Sequence, residues 1–104
     1  MGVRRLSITA VGVLQSIANG VRYGFDVIDA TGLESGTVYP ILSRLERDGL
    51  LSSRWEDEAG AHAEGRPARR YYHITPTGRA ALEVASAQYL ALVPSLGRSR
   101  RVKS

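Results

Sequence analysis

This 104-residue sequence predicts a mainly α chain with a small β-hairpin wing: three helices, a hairpin, then a closing helix. Three observations predict it. Apolar residues recur at three- and four-residue spacing in separate segments. Two short runs, Leu50-Leu51-Ser52-Ser53-Arg54-Trp55-Glu56 and Arg70-Tyr71-Tyr72-His73-Ile74, alternate and are rich in aromatic and branched residues, as strands are. Asn19-Gly20, Thr31-Gly32, Asp48-Gly49 and Thr75-Pro76 fall where helices stop or start.

The first helix spans Ser7 to Ala18, with Ile8, Val11, Leu14, Ile17 and Ala18 at helical spacing and Ser7 or Thr9 as cap. A short second helix, from about Gly24 to Ala30, is expected to bury Phe25 and Ile28. The third begins near Ser35. Its stripe is Val38, Ile41, Leu42 and Leu45, and Gly49 ends it in the left-handed position. Asp57 to Arg69, with Pro67 and several Gly and Ala, reads as a long hairpin loop. Thr75 caps the last helix and Pro76 opens it. This helix runs to about Leu92, where Val93-Pro94 disfavours continuation. The order is that of a winged helix-turn-helix. It divides the chain into that domain (1–74), a C-terminal helix (75–96) and a basic tail (97–104) expected to be disordered.

Composition narrows the function. Cysteine is absent, which excludes a disulfide-stapled fold and a thiolate zinc site. No apolar run reaches the roughly 20 residues of a membrane span, so no membrane partner is expected. Gly12, Gln15, Ser16 and Asn19 interrupt the N-terminal apolar stretch, which is therefore read as a helix of a cytoplasmic protein rather than a signal peptide. The net charge of +4 is misleading: Arg98, Arg100, Arg101 and Lys103 supply it, while residues 1–96 carry ten arginines against ten acids. Any case for nucleic acid rests on where charges lie, not on their sum. No nucleophilic cysteine, phosphate-cradling glycine loop or carboxylate pair with a nearby histidine is present, so an enzyme is not expected. His62 and His73 lack ligand spacing, so neither a metal nor a cofactor is expected. His62 with Asp57 or Glu58 is the loose arrangement that stays open.

The third helix carries the sharpest signal. With Val38 at the centre of the buried side, Gly36, Pro40, Ser43 and Arg47 point away from the core. Thr37 and Arg44 take one flank, Ser35 and Tyr39 the other. The outward face is small at its start and cationic further along, which suits a helix whose first turns enter a groove. Hydroxyls meet base edges or phosphates there, and arginines meet the flanking backbone. Exposed amides at the helix start add a phosphate site. Pro40 removes one early backbone donor. Periodicity alone leaves a merely solvated face equally open.

Two longer stretches, YGFDVIDATGLESGTVYPILSRLERDGLL (Tyr23–Leu51) and GRPARRYYHITPTGRAAL (Gly65–Leu82), resemble the PadR family of bacterial transcriptional regulators. The resemblance lies in the GT-x-YP opening of the third helix, its RLE-x-x-GL ending, and the GRP-x-R-x-YY-x-I-T-x-x-G passage from wing to helix. It implies a dimeric winged helix that binds double-stranded operator DNA, usually as a repressor. By the same resemblance Ser35, Thr37, Tyr39 and Arg44 contact DNA, and Gly36 and Pro40 shape the helix start. Tyr23 and Gly24 bring the second helix to the phosphate backbone, and Arg66, Arg69 and Arg70 are wing contacts. Two departures matter. Glu34 is a poor cap and brings negative charge to this end. Asp57, Glu58 and Glu64 make the wing tip acidic, so the alternative is that the wing arginines pair with those acids. Tyr72 and Ile74 share the core face of their strand; Tyr71 and His73 share the other.

In the last helix Leu82, Ala85, Tyr89, Leu92 and Leu96 fall at heptad spacing, with Pro94 removing Leu96. Such a stripe serves either a partner or the chain's own domain. The resemblance implies the partner, in the short subfamily with a single C-terminal helix, with Leu6, Ile8 and Val11 packing alongside. A two-fold dimer places its reading helices about 34–36 Å apart, which calls for an inverted-repeat operator. A small-molecule inducer would act by shifting that geometry; Trp55 and Tyr89 are the aromatics for it to meet. The expected function is a ligand-responsive repressor. The alternative is a winged-helix protein-interaction module without specific DNA binding, which the neutral charge of residues 1–96 favours.

Overall fold

The computed structural model describes residues 6–92; the expected Val93-Pro94 stop, Leu96 and the basic tail lie outside the described residues. The elements are α1 (Ile8–Ala18), α2 (Gly24–Thr31), α3 (Ser35–Arg47), β1 (Leu51–Trp55), α4 (Glu58–Ala63), β2 (Arg70–Ile74) and α5 (Pro76–Ala91). β1 and β2 pair antiparallel, Leu51 opposite Ile74 and Trp55 opposite Arg70. A third rung is added where Tyr23 bridges Tyr71 and the Tyr72 amide donates to the Arg22 carbonyl at 2.8 Å. The wing is thus stitched to the entrance of α2.

Local chemistry sets the element ends. Ser7 Oγ accepts from the Ala10 amide and starts α1. Gly32 (φ 75°) and Gly49 (φ 80°) turn the chain through the left-handed region after α2 and α3, where a Cβ is unfavourable. Thr75 Oγ1 accepts from the Gly78 amide and donates to the Gly49 carbonyl, fastening α5 to the turn after α3. Gly78 lies so close to the Leu50 carbonyl that a Cβ there would overlap it.

The core gathers Val13, Leu14, Val27, Val38, Leu42, Leu45 and Leu51 between α1, α2, α3 and the hairpin. Each such side chain contributes on the order of 1.5–3 kcal/mol on leaving water. Two expectations, the burial of Phe25 in α2 and the plain loop between the strands, are corrected here. α1 buries Ala10, Val13, Leu14 and Ile17, while Ile8 is exposed and Val11 only half-buried; α1 touches α2, α3, β2 and α5, so its buried arc is wider than one stripe. α2 buries Gly24 and Val27, and Phe25 is 67% exposed, because the face that meets α1 and α3 holds Gly24, Val27 and Ile28. The loop expected between the strands contains α4. Asp57 caps it through the Gly60 amide, and Ala61 is buried. Among the described residues no helix is long and apolar enough to cross a membrane, and no group of three or more His, Asp or Glu is placed to hold a metal.

Candidate nucleic-acid interface

α3 has no side-chain cap at Glu34, so its first amides keep the unpaired character of a helix start. It continues through Pro40 without a break. Val38, Leu42 and Leu45 anchor it, which leaves Ser35, Gly36, Tyr39, Pro40, Ser43, Arg44 and Arg47 exposed and Thr37 half-buried. Tyr39, 45% exposed, lays its ring on α2: a Cβ at Gly24 would lie 2.5 Å from Tyr39 Cε1. The missing side chain at Gly24 therefore makes room for the tyrosine, and α2 and α3 share one surface there.

The wing splits its arginines into two kinds. Arg66 forms a two-pronged pair with Glu56 (2.6 and 3.0 Å) and a further bond to Glu64 at 3.1 Å. The Arg66 hydrogen bond, then the Arg69 backbone amide at 2.9 Å, hold the Glu56 carboxyl down from its ordinary 4.5 to about 2. The same bond raises Arg66 further above its already high value. Arg70 donates to Ser53 Oγ at 2.8 Å and to Glu46 at 3.2 Å, and Ser53 in turn donates to Glu46 at 2.6 Å, so Arg70 ties β2 to the end of α3. Arg69 is different: its guanidinium lies 4.7 Å from the Tyr23 ring centre. Tyr23 stacks on Tyr71 at 5.3 Å, Tyr71 on His73 at 6.2 Å, and Arg54 lies 5.6 Å over Tyr71. Tyr72, on the opposite strand face, is buried, and burial pushes its hydroxyl pKa up.

A small hydroxyl-bearing helix start set on a helix-turn-helix, beside a wing, is a frame that known proteins can be compared with. The model of the "Transcriptional regulator PadR-like family" matches residues 13–84. The chain belongs to this family. It is therefore one of the PadR-like transcriptional regulators rather than an enzyme. The curated "Transcriptional regulator Rv3488" of Mycobacterium tuberculosis is 55% identical over 47 residues, which span 45% of this chain and 38% of that protein. A PadR family regulator from Eggerthella lenta has a solved structure similar to this one at a TM-score of 0.66 and 27% identity, over 83% of this chain and 78% of that one. Bacillus subtilis PadR, solved in complex with operator DNA, shares the fold at a TM-score of 0.63 and 16% identity, over 74% of this chain and 46% of that one.

Arg44 is exposed as well, on the flank of α3. With Asp48, Ile41 and Leu45 it lines a groove of about 930 Å³ between α3, α1 and α5. The expected α5 seam is largely spent inside the chain: Leu82 and Ala85 are buried, and the Tyr89 hydroxyl donates to the Leu6 carbonyl at 2.6 Å. Leu6 and Val11 also pack on the core cluster. Of the large apolar side chains, α5 leaves Val84 and Leu90 exposed, and Leu92 at its C-terminal cap is exposed too. Trp55 is exposed, with Arg70 5.5 Å over its ring. Sequence reasoning missed Arg54, whose place in the row follows from its register opposite Tyr71. Strand alternation supplies the signal: Ser52 and Arg54 share the face of Tyr71 and His73.

Proposed function

We propose that this chain is a homodimeric, ligand-responsive repressor that reads an inverted-repeat operator by placing the start of α3 in the major groove. One observation carries the reading: Ser35, Gly36, Tyr39 and Pro40 form an exposed, small, hydroxyl-bearing surface at the start of a helix-turn-helix helix fixed from behind by Val38 and Leu42. Backbone can approach closely at Gly36, and hydroxyls supply the contacts that base edges and phosphates accept. The complex of Bacillus subtilis PadR with operator DNA supports the choice of partner. In this reading Tyr23 and Gly24 bring α2 to the backbone, while Arg66 and Arg70 keep the wing in shape. The second protomer packs against the groove beside α5, where Leu6, Ala10, Ile41 and Val84 supply apolar wall. An inducer acts by changing the angle between protomers. Tyr89, which ties α5 to Leu6 in the segment leading into α1, is where such a change registers, and Trp55 stands apart on the wing.

The test is Thr37→Ala combined with Tyr39→Ala, assayed on DNA from immediately upstream of the chain's own coding sequence. Loss of such contacts costs about 1–3 kcal/mol each, so specific affinity falls roughly tenfold or more, with an unchanged sedimentation mass. A double variant that binds as tightly as wild type would show that α3 is not the reading helix.

A further inference from the structure

The wing's cationic surface is not the one its sequence advertises. Arg66 and Arg70 are each held by carboxylates, Arg66 by Glu56 and Glu64 and Arg70 by Glu46. Their charge is internally compensated. Among the described residues neither Arg54 nor Arg69 has a carboxylate within salt-bridge distance, and each instead lies over a tyrosine ring. The two rings are stacked on each other, with Tyr23 bridged to Tyr71 across the added rung and Tyr71 directly opposite Arg54. Arg54, Tyr71 and Tyr23 therefore form one lateral row over three neighbouring backbone segments, and Arg69 closes its far end.

We propose that Arg54 and Arg69, supported on the Tyr23–Tyr71 stack, are the wing's phosphate-contacting pair, and that Arg66 and Arg70 are positioning residues that keep the hairpin rigid. This rests on the proposed DNA-binding function and names the residues that carry its wing contact. Three physical points support it. A guanidinium over an aromatic face keeps its N–H edge available for a second partner, whereas one engaged by a carboxylate has spent that edge. An arginine laid on a ring has lost part of its rotamer freedom before the phosphate arrives, so less is lost on binding. The row is also continuous with the reading helix: Tyr23 immediately precedes Gly24, on which the Tyr39 ring rests. Arg69 is further fixed by its backbone, which exchanges two hydrogen bonds with Glu56, the amide to Oε1 at 2.9 Å and the carbonyl from the Glu56 amide at 2.7 Å. Glu56 thereby neutralises Arg66 and at the same time holds Arg69 in place.

The experiment measures binding of the full chain to duplex DNA from upstream of its own coding sequence, and to an unrelated duplex of equal length, over a salt series. Arg54→Gln and Arg69→Gln are each expected to reduce the slope of log affinity against log salt by about one. The loss is equal on both duplexes, because phosphate contacts carry no sequence information, and the thermal midpoint is unchanged. Arg54→Lys keeps the slope because it keeps the charge. Arg66→Gln leaves the slope within error and lowers the midpoint. Wild-type slopes in both Arg54→Gln and Arg69→Gln, with wild type itself binding in a salt-dependent way, overturn this proposal and leave the α3 reading standing. So does a reduced slope in Arg66→Gln alone. Wild type that binds neither duplex overturns both.

Discussion

Glu56 carries an unusual share of the wing. It accepts two bonds from the Arg66 side chain and one from the Arg69 amide, and these hold its carboxyl down to about 2 from an ordinary 4.5. A carboxyl whose pKa is depressed by folding stabilises the folded chain above its unfolded value, and that contribution is lost as pH falls through the folded value. For Glu56 it is complete above about pH 4.5 and decays toward pH 2. Glu56→Gln is therefore expected to lower the thermal midpoint near neutrality, with the difference from wild type shrinking over that window. A difference constant with pH would mean the charge is not what matters. The sequence shows three acids and three arginines between Asp57 and Arg70, which suggests pairing within that stretch. Glu64 does meet Arg66. The main partner, Glu56, lies just outside the stretch and ten residues from Arg66, a separation that no helix or strand period marks. Tyr39, by contrast, was legible as outward, because Val38 and Leu42 fix the rotation of its helix.

Two joints between elements depend on an absent side chain, and they predict opposite outcomes. At Gly78 the obstacle is the Leu50 carbonyl, part of a turn that Thr75 bonds at both Gly49 and Leu50. Backbone held that way cannot yield cheaply, so Gly78→Ala is expected to destabilise by about 3 kcal/mol, read by chemical denaturation. At Gly24 the obstacle is the Tyr39 ring, a side chain that can swing outward. Gly24→Ala should then cost stability only about 1 kcal/mol while weakening DNA binding, because it moves a proposed contact; a large loss of stability with unchanged binding would reverse that assignment. The ends of elements were readable wherever one residue decides them, as Ser7, Thr75 and Gly49 do. The faces of short elements were not. α2 has eight residues, and Phe25, Val27 and Ile28 fit two faces almost equally well; contact with α1 and α3 decides for Val27. α4 has six residues and buries only Ala61, too little apolar pattern to distinguish it from a loop.

For the molecule as a whole, the proposed dimer turns on which side of α5 faces outward. Heptad spacing marked Leu82, Ala85, Tyr89 and Leu92 as one stripe, but a stripe does not say whether its partner is another chain or the same one. Leu82 and Ala85 are covered by the chain's own core, and Tyr89 is bonded to Leu6. Substituting Leu82 with Glu would bury an unpaired charge and unfold the protomer, so it reports on folding rather than on association. Val84 is the informative position: it is 59% exposed and lines the groove beside α1 and α3. If the partner packs there, Val84→Glu combined with Leu92→Glu leaves the helical circular-dichroism spectrum intact, halves the sedimentation mass and weakens operator binding, because two half-sites are no longer engaged together. The same pair should have little effect on binding to a single half-site, since each protomer keeps its α3 and wing. A folded double variant that still sediments as a dimer moves the interface away from the outer face of α5 and leaves the DNA-reading surface of the protomer as argued.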